Sequence, residues 1–348
     1  MAKYSIEDTT LTNIANAIRN KTGDSATLKP SEMPTAIEGI ETGSSGEMNV
    51  KILTKMSGNI DGNPKYILQR LITEIPTITV SGTSMQSAFE DCINLTKIPT
   101  LNTNTIRNMQ NMFRNCAKLT EIPLLNTSNA TNFYYMFADC DNLITIPQFD
   151  TSNVKDMSYM FYNCYALESI PLLNTSNVTK MDYMFYSCRS LLEIPQFDTS
   201  NVTNMSYMLY GCDNLITIPL LNTSKVTAMT YVFYSCDKLK TIPQLDLSSA
   251  TSINYILTNC PALENFGGFL NLGAAYLTSR AENYTAYKLD LSKSTKLTHD
   301  SLMNVINGLY DIATLGCKIQ QLTIGATNLA KLTAEEIAIA TSKGWSVA

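Results

Sequence analysis

Across the middle of the chain the apolar positions recur every 24 residues, and polar residues fill the intervals on the same schedule. The unit reads C-x-x-L-x-x-I-P-x-[LF]-[ND]-T-S-x-V-T-x-M-x-Y-M-F-Y-x, and one copy runs from Cys164 to Ser187. Its first half, as in Leu167 to Leu173, is short, apolar and interrupted by a proline. Proline cannot donate to a ladder, so this half predicts a strand of three or four residues with the proline at its end. The second half places Met181, Met184, Phe185 and Cys188 at i, i+3, i+4 and i+7, which predicts one face of a short helix with Thr179 as N-cap. The intervening "NTSN" and "DTSN" runs are turn chemistry, because Asn, Asp, Ser and Thr side chains bond nearby backbone groups. A period of 24 lies within the lengths of leucine-rich repeats. The pattern predicts an α/β repeat solenoid, an array of short parallel strands and short helices in which each unit buries its apolar face only by stacking on the next.

The most regular residue is cysteine, at 92, 116, 140, 164, 188, 212, 236 and 260. Equivalent residues on stacked rungs lie about 4.8 Å apart with parallel Cβ vectors, a poor geometry for a disulfide. A metal array would need clustered ligands, yet the chain has no C-x-x-C and one histidine, His299. Cys92, Cys116, Cys140, Cys164, Cys188, Cys212, Cys236 and Cys260 therefore read as a buried structural column of free thiols. The methionine columns (Met109, Met157, Met181, Met205, Met229 and Met112, Met136, Met160, Met184, Met208) read as core, as do Phe113, Phe137, Phe161, Phe185 and Phe233. A slower alternation is superimposed: "LLNTS" at 124, 172 and 220 alternates with "QFDTS" at 148 and 196 and "QLDLS" at 244, which points to a duplicated block of 48 residues.

Two tyrosine columns flank the buried stripe: Tyr135, Tyr159, Tyr183, Tyr207, Tyr231 and Tyr255, then Tyr162, Tyr186, Tyr210 and Tyr234. They read either as a ladder of rings that shields the core or as a ligand surface, since Tyr offers large contact area at small entropic cost and suits sugar faces. The strand face, with Thr145, Ser169, Thr217, Thr241, Glu121 and Glu193, is an alternative track.

Composition narrows the functional classes. The chain is 45% hydrophobic but only 16% charged, against about 25% in ordinary globular proteins. A net charge of −5 with 25 scattered basic residues excludes a nucleic-acid groove, which needs a basic stripe. There is no apolar run of signal-peptide or membrane-span length, so no membrane insertion is expected. No phosphate loop, paired metal ligands or nucleophile beside a histidine is present, so the expectation is a protein without catalytic activity or cofactor.

"DTSNVTNMSYMLYGCDNL" and "NTSNVTKMDYMFYSCRSL" resemble the BspA-like leucine-rich-repeat family of bacterial surface proteins over about residues 70 to 270. The resemblance implies a curved solenoid that acts as an adhesin. The opening "TTLTNIANAIRNKTGDSATLKPSEMPTAIEGI" and the closing "LTHDSLMNVINGLYDIATLGCKIQQLTIGATNLAKLTAEEIAIATSKGWSVA" resemble segments of tail-associated proteins of phages and prophages of Gram-positive bacteria. Those ends, together with the lack of an L-P-x-T-G motif, imply a virion protein of the tail or baseplate that recognises the host surface; a bacterial adhesin and a decoration or spacer protein without its own receptor are the alternatives.

Residues 1–42 read as a helical anchoring or oligomerisation segment with apolar faces at Leu11, Ile14, Ile18 and at Met33, Ile37, Ile40, too small to bury them alone. Residues 43–70 read as a linker and N-terminal cap, 71–270 as the solenoid, and 271–348 as longer repeats and a cap. In the longer repeats "KLDLS" and "QLTIG" predict strands, and "HDSLMNVINGLY" and "TAEEIAIATSKG" predict helices. The expected partners are virion structural proteins or further copies of the chain through residues 1–42, and a host envelope glycopolymer or surface protein through the repeats. His299, at the start of a predicted helix, reads as a surface or capping residue.

Overall fold

The computed structural model describes residues 78–80, 82–272, 274, 288–313 and 319–348, together with a two-residue strand at Met48–Asn49. The anchoring faces at Leu11, Ile14, Ile18, Met33, Ile37 and Ile40 lie outside the described residues. The fold is a leucine-rich-repeat-like solenoid of parallel rungs. In the rung from Cys164 to Ser187, eight apolar side chains turn inward: Cys164, Leu167, Ile170, Leu173, Val178, Met181, Met184 and Phe185. Each contributes about 1.5–3 kcal/mol of burial. All of the predicted methionine and phenylalanine columns are buried. The rings of Phe89, Phe113, Phe137, Phe161 and Phe185 stack at centroid distances of 5.3 to 5.7 Å.

The half of the unit expected to be helical is a run of turns. Within the rung, Met184 N–H donates to Met181 O, Tyr186 to Tyr183 O and Cys188 to Phe185 O, all three residues back. The alternate residues donate forward instead: Tyr183 to Ser206 O, Phe185 to Met208 O and Ser187 to Tyr210 O. An α-helix is about 10 Å across, whereas strand-paired rungs are about 4.8 Å apart. Full helices on successive rungs would force them apart and break those forward bonds. The i, i+3, i+4, i+7 spacing buries the predicted face all the same, because successive three-residue turns return it to the same side. Thr179 is accordingly no helix cap: its N–H and its hydroxyl both bond Lys155 O on the preceding rung, at 3.0 and 3.2 Å.

Parallel bridging also sits mainly in this half. Ser84, Asn108, Asn132, Asp156, Lys180, Asn204, Ala228 and Ser252 form a column of isolated parallel bridges. Among the described residues of the 24-residue units, regular strand pairs in the Ile-Pro half lie near the end of the array, where β3 (Thr241–Ile242) pairs with β5 (Asn265–Phe266) and β4 (Leu245–Asp246) with β6 (Phe269–Leu270). At the amino-terminal side β1 (Met48–Asn49) pairs in parallel with β2 (Ile78–Thr79).

In the connecting turn of the Cys164–Ser187 rung each polar residue has its own partner. Ser176 N–H donates to Asn174 Oδ1 at 3.1 Å, closing an Asx turn. Asn177 Nδ2 donates to Ser152 O of the rung before, at 2.7 Å. Thr175, fully buried, donates to Asp198 O of the rung after, at 2.9 Å.

Beyond the 24-residue units the rungs lengthen. A three-stranded parallel sheet runs β7 (Lys288–Asp290), β8 (Gln320–Thr323), β9 (Trp345–Val347). Helices α1 (His299–Gly308), α2 (Gly325–Leu329) and α3 (Ala334–Ser342) accompany it. "KLDLS" and "QLTIG" do form strands, and the two predicted helices are α1 and α3. Thr333 and Glu336 cap α3 reciprocally. His299 opens α1 next to its N-cap Thr298, and its Nε2 lies 2.8 Å from Glu336 Oε1, which raises the imidazole pKa.

Candidate functional site, a strip of stacked tyrosines

The turn half of each rung sets its tyrosines at two positions. Tyr135, Tyr159, Tyr183, Tyr207, Tyr231 and Tyr255 all have a left-handed backbone, with φ between 55° and 59°. The reason is local. At this third turn residue the inverted φ accompanies an N–H aimed at the following rung, where Tyr183 N donates to Ser206 O and Tyr207 N to Thr230 O. Earlier rungs place Ser87 and Asn111 at the same position, with φ of 56° and 55°. The left-handed region is tolerated best by Gly, Asn and Asp and is costly for a bulky side chain. Six successive tyrosines there run against local preference. Four residues on, the second left-handed column keeps mostly to that preference, with Asp91, Asn115, Asp139, Asn163, Gly211 and Asn259, and with the small Ser187 and Ser235 at the two remaining rungs.

The rings form one continuous strip. The first column stacks at centroid distances of 4.3 to 4.7 Å from Tyr135 to Tyr255. Tyr162, Tyr186, Tyr210 and Tyr234 stack beside it at 4.6 to 5.0 Å. Tilted contacts of 5.6 Å (Tyr159 with Tyr162) and 5.7 Å (Tyr183 with Tyr186) join the columns. Stacked pairs of this kind add about 0.5–1.5 kcal/mol each beyond burial. The strip therefore serves as a ladder and also leaves aromatic surface open to solvent, Tyr255 being 48% exposed and the others half-buried. Tyr134 packs edge-on against Tyr135 at 4.5 Å, and the Arg114 guanidinium lies 5.2 Å from the centre of the Tyr135 ring.

Burial pushes the phenols of Tyr135 and Tyr183 up to about 12, with neighbouring phenols adding to the effect. Tyr159 is raised for the same reason. These three phenols thus stay neutral across the physiological range. Asp182 beside it is also raised, chiefly by burial, although it accepts a 2.7 Å hydrogen bond from the Ser158 hydroxyl. The alternative polar track is separate from this strip: Thr145, Ser169, Thr217, Glu121 and Glu193 are exposed on the other half of the rung.

Cys92, Cys116, Cys140, Cys164, Cys188, Cys212, Cys236 and Cys260 are all buried and unpaired to one another. Sequence reasoning gave them no polar role, yet each of the last seven points its Sγ at a carbonyl of the preceding rung. Cys188 Sγ lies 3.1 Å from Phe161 O and Cys212 Sγ 3.2 Å from Phe185 O. Burial pushes the thiols of Cys92 and Cys260 up to about 12. No group of three or more His, Cys, Asp or Glu side chains among the described residues could hold a metal ion. Among the same residues no helix is long and apolar enough to cross a membrane. Sequence reasoning also missed Tyr134 and the Arg114 contact, which depend on which rung faces which.

Several solved structures are similar to the chain. A leucine rich cell surface protein from Faecalibacterium prausnitzii is 17% identical over 56% of this chain and 76% of that one, with a TM-score of 0.20. A leucine rich repeat protein from T. pallidum is 18% identical over 56% and 64%, also at 0.20. An internalin from Listeria monocytogenes is 15% identical over 95% and 89%, at 0.28. No curated protein matches the chain. No enzyme family is indicated by these similarities. One family profile matches residues 83–193 and 166–269, together more than half of the chain and nearly the whole array of 24-residue rungs, so the protein belongs to the family described as Mycoplasma protein of unknown function, DUF285.

Proposed function

We propose that the protein is a non-catalytic surface-recognition protein, an adhesin whose solenoid holds a repetitive ligand on a cell surface through the tyrosine strip. The observation that carries this reading is the set of six consecutive tyrosines in a left-handed backbone where Asn or Gly would be easier. Local conflict of this kind is retained where the side chain has a task. A neutral, rigid, stacked aromatic strip repeats at the rung spacing, so many weak contacts on a polymer add through avidity. The narrower placement on a phage tail or baseplate rests on the resemblance of the two ends alone, and the adhesin reading takes precedence over it.

The test replaces Tyr159, Tyr183 and Tyr207 together by Asn, the residue that Asn111 already supplies in the same backbone position. The full chain should sediment with isolated bacterial envelopes, and the triple variant should lose that binding while keeping its circular dichroism. Undiminished binding by the folded variant refutes the strip as the site. If the unaltered chain binds no envelope in a broad panel, a spacer role replaces recognition.

A further inference from the structure

The 48-residue alternation plays no part in the tyrosine strip, and it has a structural counterpart on the other half of the rung. Two grooves of about 640 and 590 Å³ open there, lined by equivalent residues 48 positions apart. The first is built around Gln148, Asp150, Leu172, Asn174, Gln196 and Asp198; the second around Gln196, Asp198, Leu220, Asn222, Gln244 and Asp246. Gln148 and Gln196 are held by their amides, Nε2 donating to Leu172 O at 2.8 Å and to Leu220 O at 2.6 Å. Leu172 and Leu220 stand 58% and 62% exposed in the middle.

The rim alternates carboxylate and amide: Asn126, Asp150, Asn174, Asp198, Asn222, Asp246. Hydrogen bonds from Ser152 and Ser200 hold Asp150 and Asp198 below the usual carboxylate range, so both stay charged into acid. No Lys or Arg lines either groove. Like carboxylates are two rungs apart, about 10 Å at strand spacing. The second groove also contains an orphan. Thr103, Thr151, Thr175 and Thr199 each donate to the next rung's carbonyl at 2.8 to 2.9 Å. Thr223, equally buried and lining the groove, has no partner for its hydroxyl, and neither has Thr127 of the same column, which lines neither groove.

We propose that this face is a second binding site, for an extended β-1,4-linked amino-sugar chain read at one disaccharide per two rungs. Successive sugars in such a chain are turned over, so its amines return to the same side only at every second sugar. The carboxylates return at every second rung in the same way. The exposed leucines suit the carbon-hydrogen faces of the sugars. Glutamine, asparagine, threonine and serine suit their hydroxyls, and the charge excludes acidic polymers.

The experiment titrates the full chain calorimetrically with a glucosamine hexamer, the fully N-acetylated hexamer and the glucosamine dimer, at mildly acidic pH where amines and carboxylates are both charged. The amine hexamer should bind at least about ten-fold more tightly than either other probe, since two or more charge-assisted contacts are each worth more than a neutral one. The variant D150N/D198N/D246N should lose that advantage while melting as before, because Asn126, Asn174 and Asn222 already occupy the same position in neighbouring rungs. Equal binding of the acetylated hexamer overturns the proposal, as does full binding by the triple variant. No binding of any probe overturns it too and leaves the tyrosine strip untouched, because the Tyr-to-Asn variant tests that separately.

Discussion

Met184→Asp tests the register of the array most directly. Met184 is wholly inside, and no Lys or Arg is buried among the described residues to pair with a carboxylate there. Burial of this depth raises a carboxyl pKa by about 3–5 units. From an unfolded value of about 3.9, keeping the group protonated at pH 7 costs about 3 units at about 1.4 kcal/mol each, or about 4 kcal/mol. Loss of the methionine's burial adds about 1.5–3 kcal/mol. The sum, about 6 kcal/mol, is a large part of a typical stability of about 5–15 kcal/mol. The sign with pH follows from the raised folded pKa: the folded state holds its proton where the unfolded state has released it, so the penalty grows as pH rises above about 3.9. Urea unfolding should show the variant far less stable at pH 7 and closer to the parent at pH 4. Because rungs couple mainly to their neighbours, alkylation located by mass spectrometry should reach Cys164, Cys188 and Cys212 first and Cys92 last. An unchanged unfolding midpoint at pH 7 would mean that Met184 faces solvent and would refute the register.

Four further outcomes are expected. In the native protein the eight repeat cysteines should resist thiol labelling from neutral to mildly alkaline pH, since burial and raised pKa both suppress the thiolate; rapid labelling of most of them would contradict the buried column. Thr199→Val should cost about 1–3 kcal/mol in chemical denaturation by orphaning Asn222 O, whereas Thr223→Val, which removes a buried hydroxyl without a partner, should be neutral or stabilising; equal losses would refute the distinction. Asp182→Asn should raise the melting temperature at neutral pH, because the parent carboxyl has a raised folded pKa and loses stability as pH rises through its unfolded value; the gain should vanish in acid, and a gain independent of pH would point to another cause. Glu336→Gln should lower the pKa of His299 in an NMR titration, because that carboxylate is the main cause of its upward shift; an unmoved pKa would show that the contact is not formed in solution.

Much of the solenoid is legible in the sequence. A strict 24-residue period with apolar residues at fixed positions admits few arrangements other than stacked rungs, and the cysteine, methionine and phenylalanine columns follow from it. So do the Asx turns, since Asn174 and Asp198 bond backbone two residues on wherever they stand in such a turn. What a single rung cannot specify is how its backbone bonds are shared with its neighbours. The spacing Met181, Met184, Phe185, Cys188 fits one helical face and also a run of turns, and only the narrow distance between rungs selects the turns. The inverted φ at Tyr183, the thiol bond from Cys188 to Phe161 O and the unpartnered hydroxyl of Thr223 arise the same way. The 48-residue alternation is visible along the chain, but the grooves it lines exist only where Gln148, Leu172 and Gln196 meet across three rungs. Period and polarity are properties of one rung and are written in its residues, whereas hydrogen-bond direction and surface shape belong to the contact between rungs, which stacking alone creates.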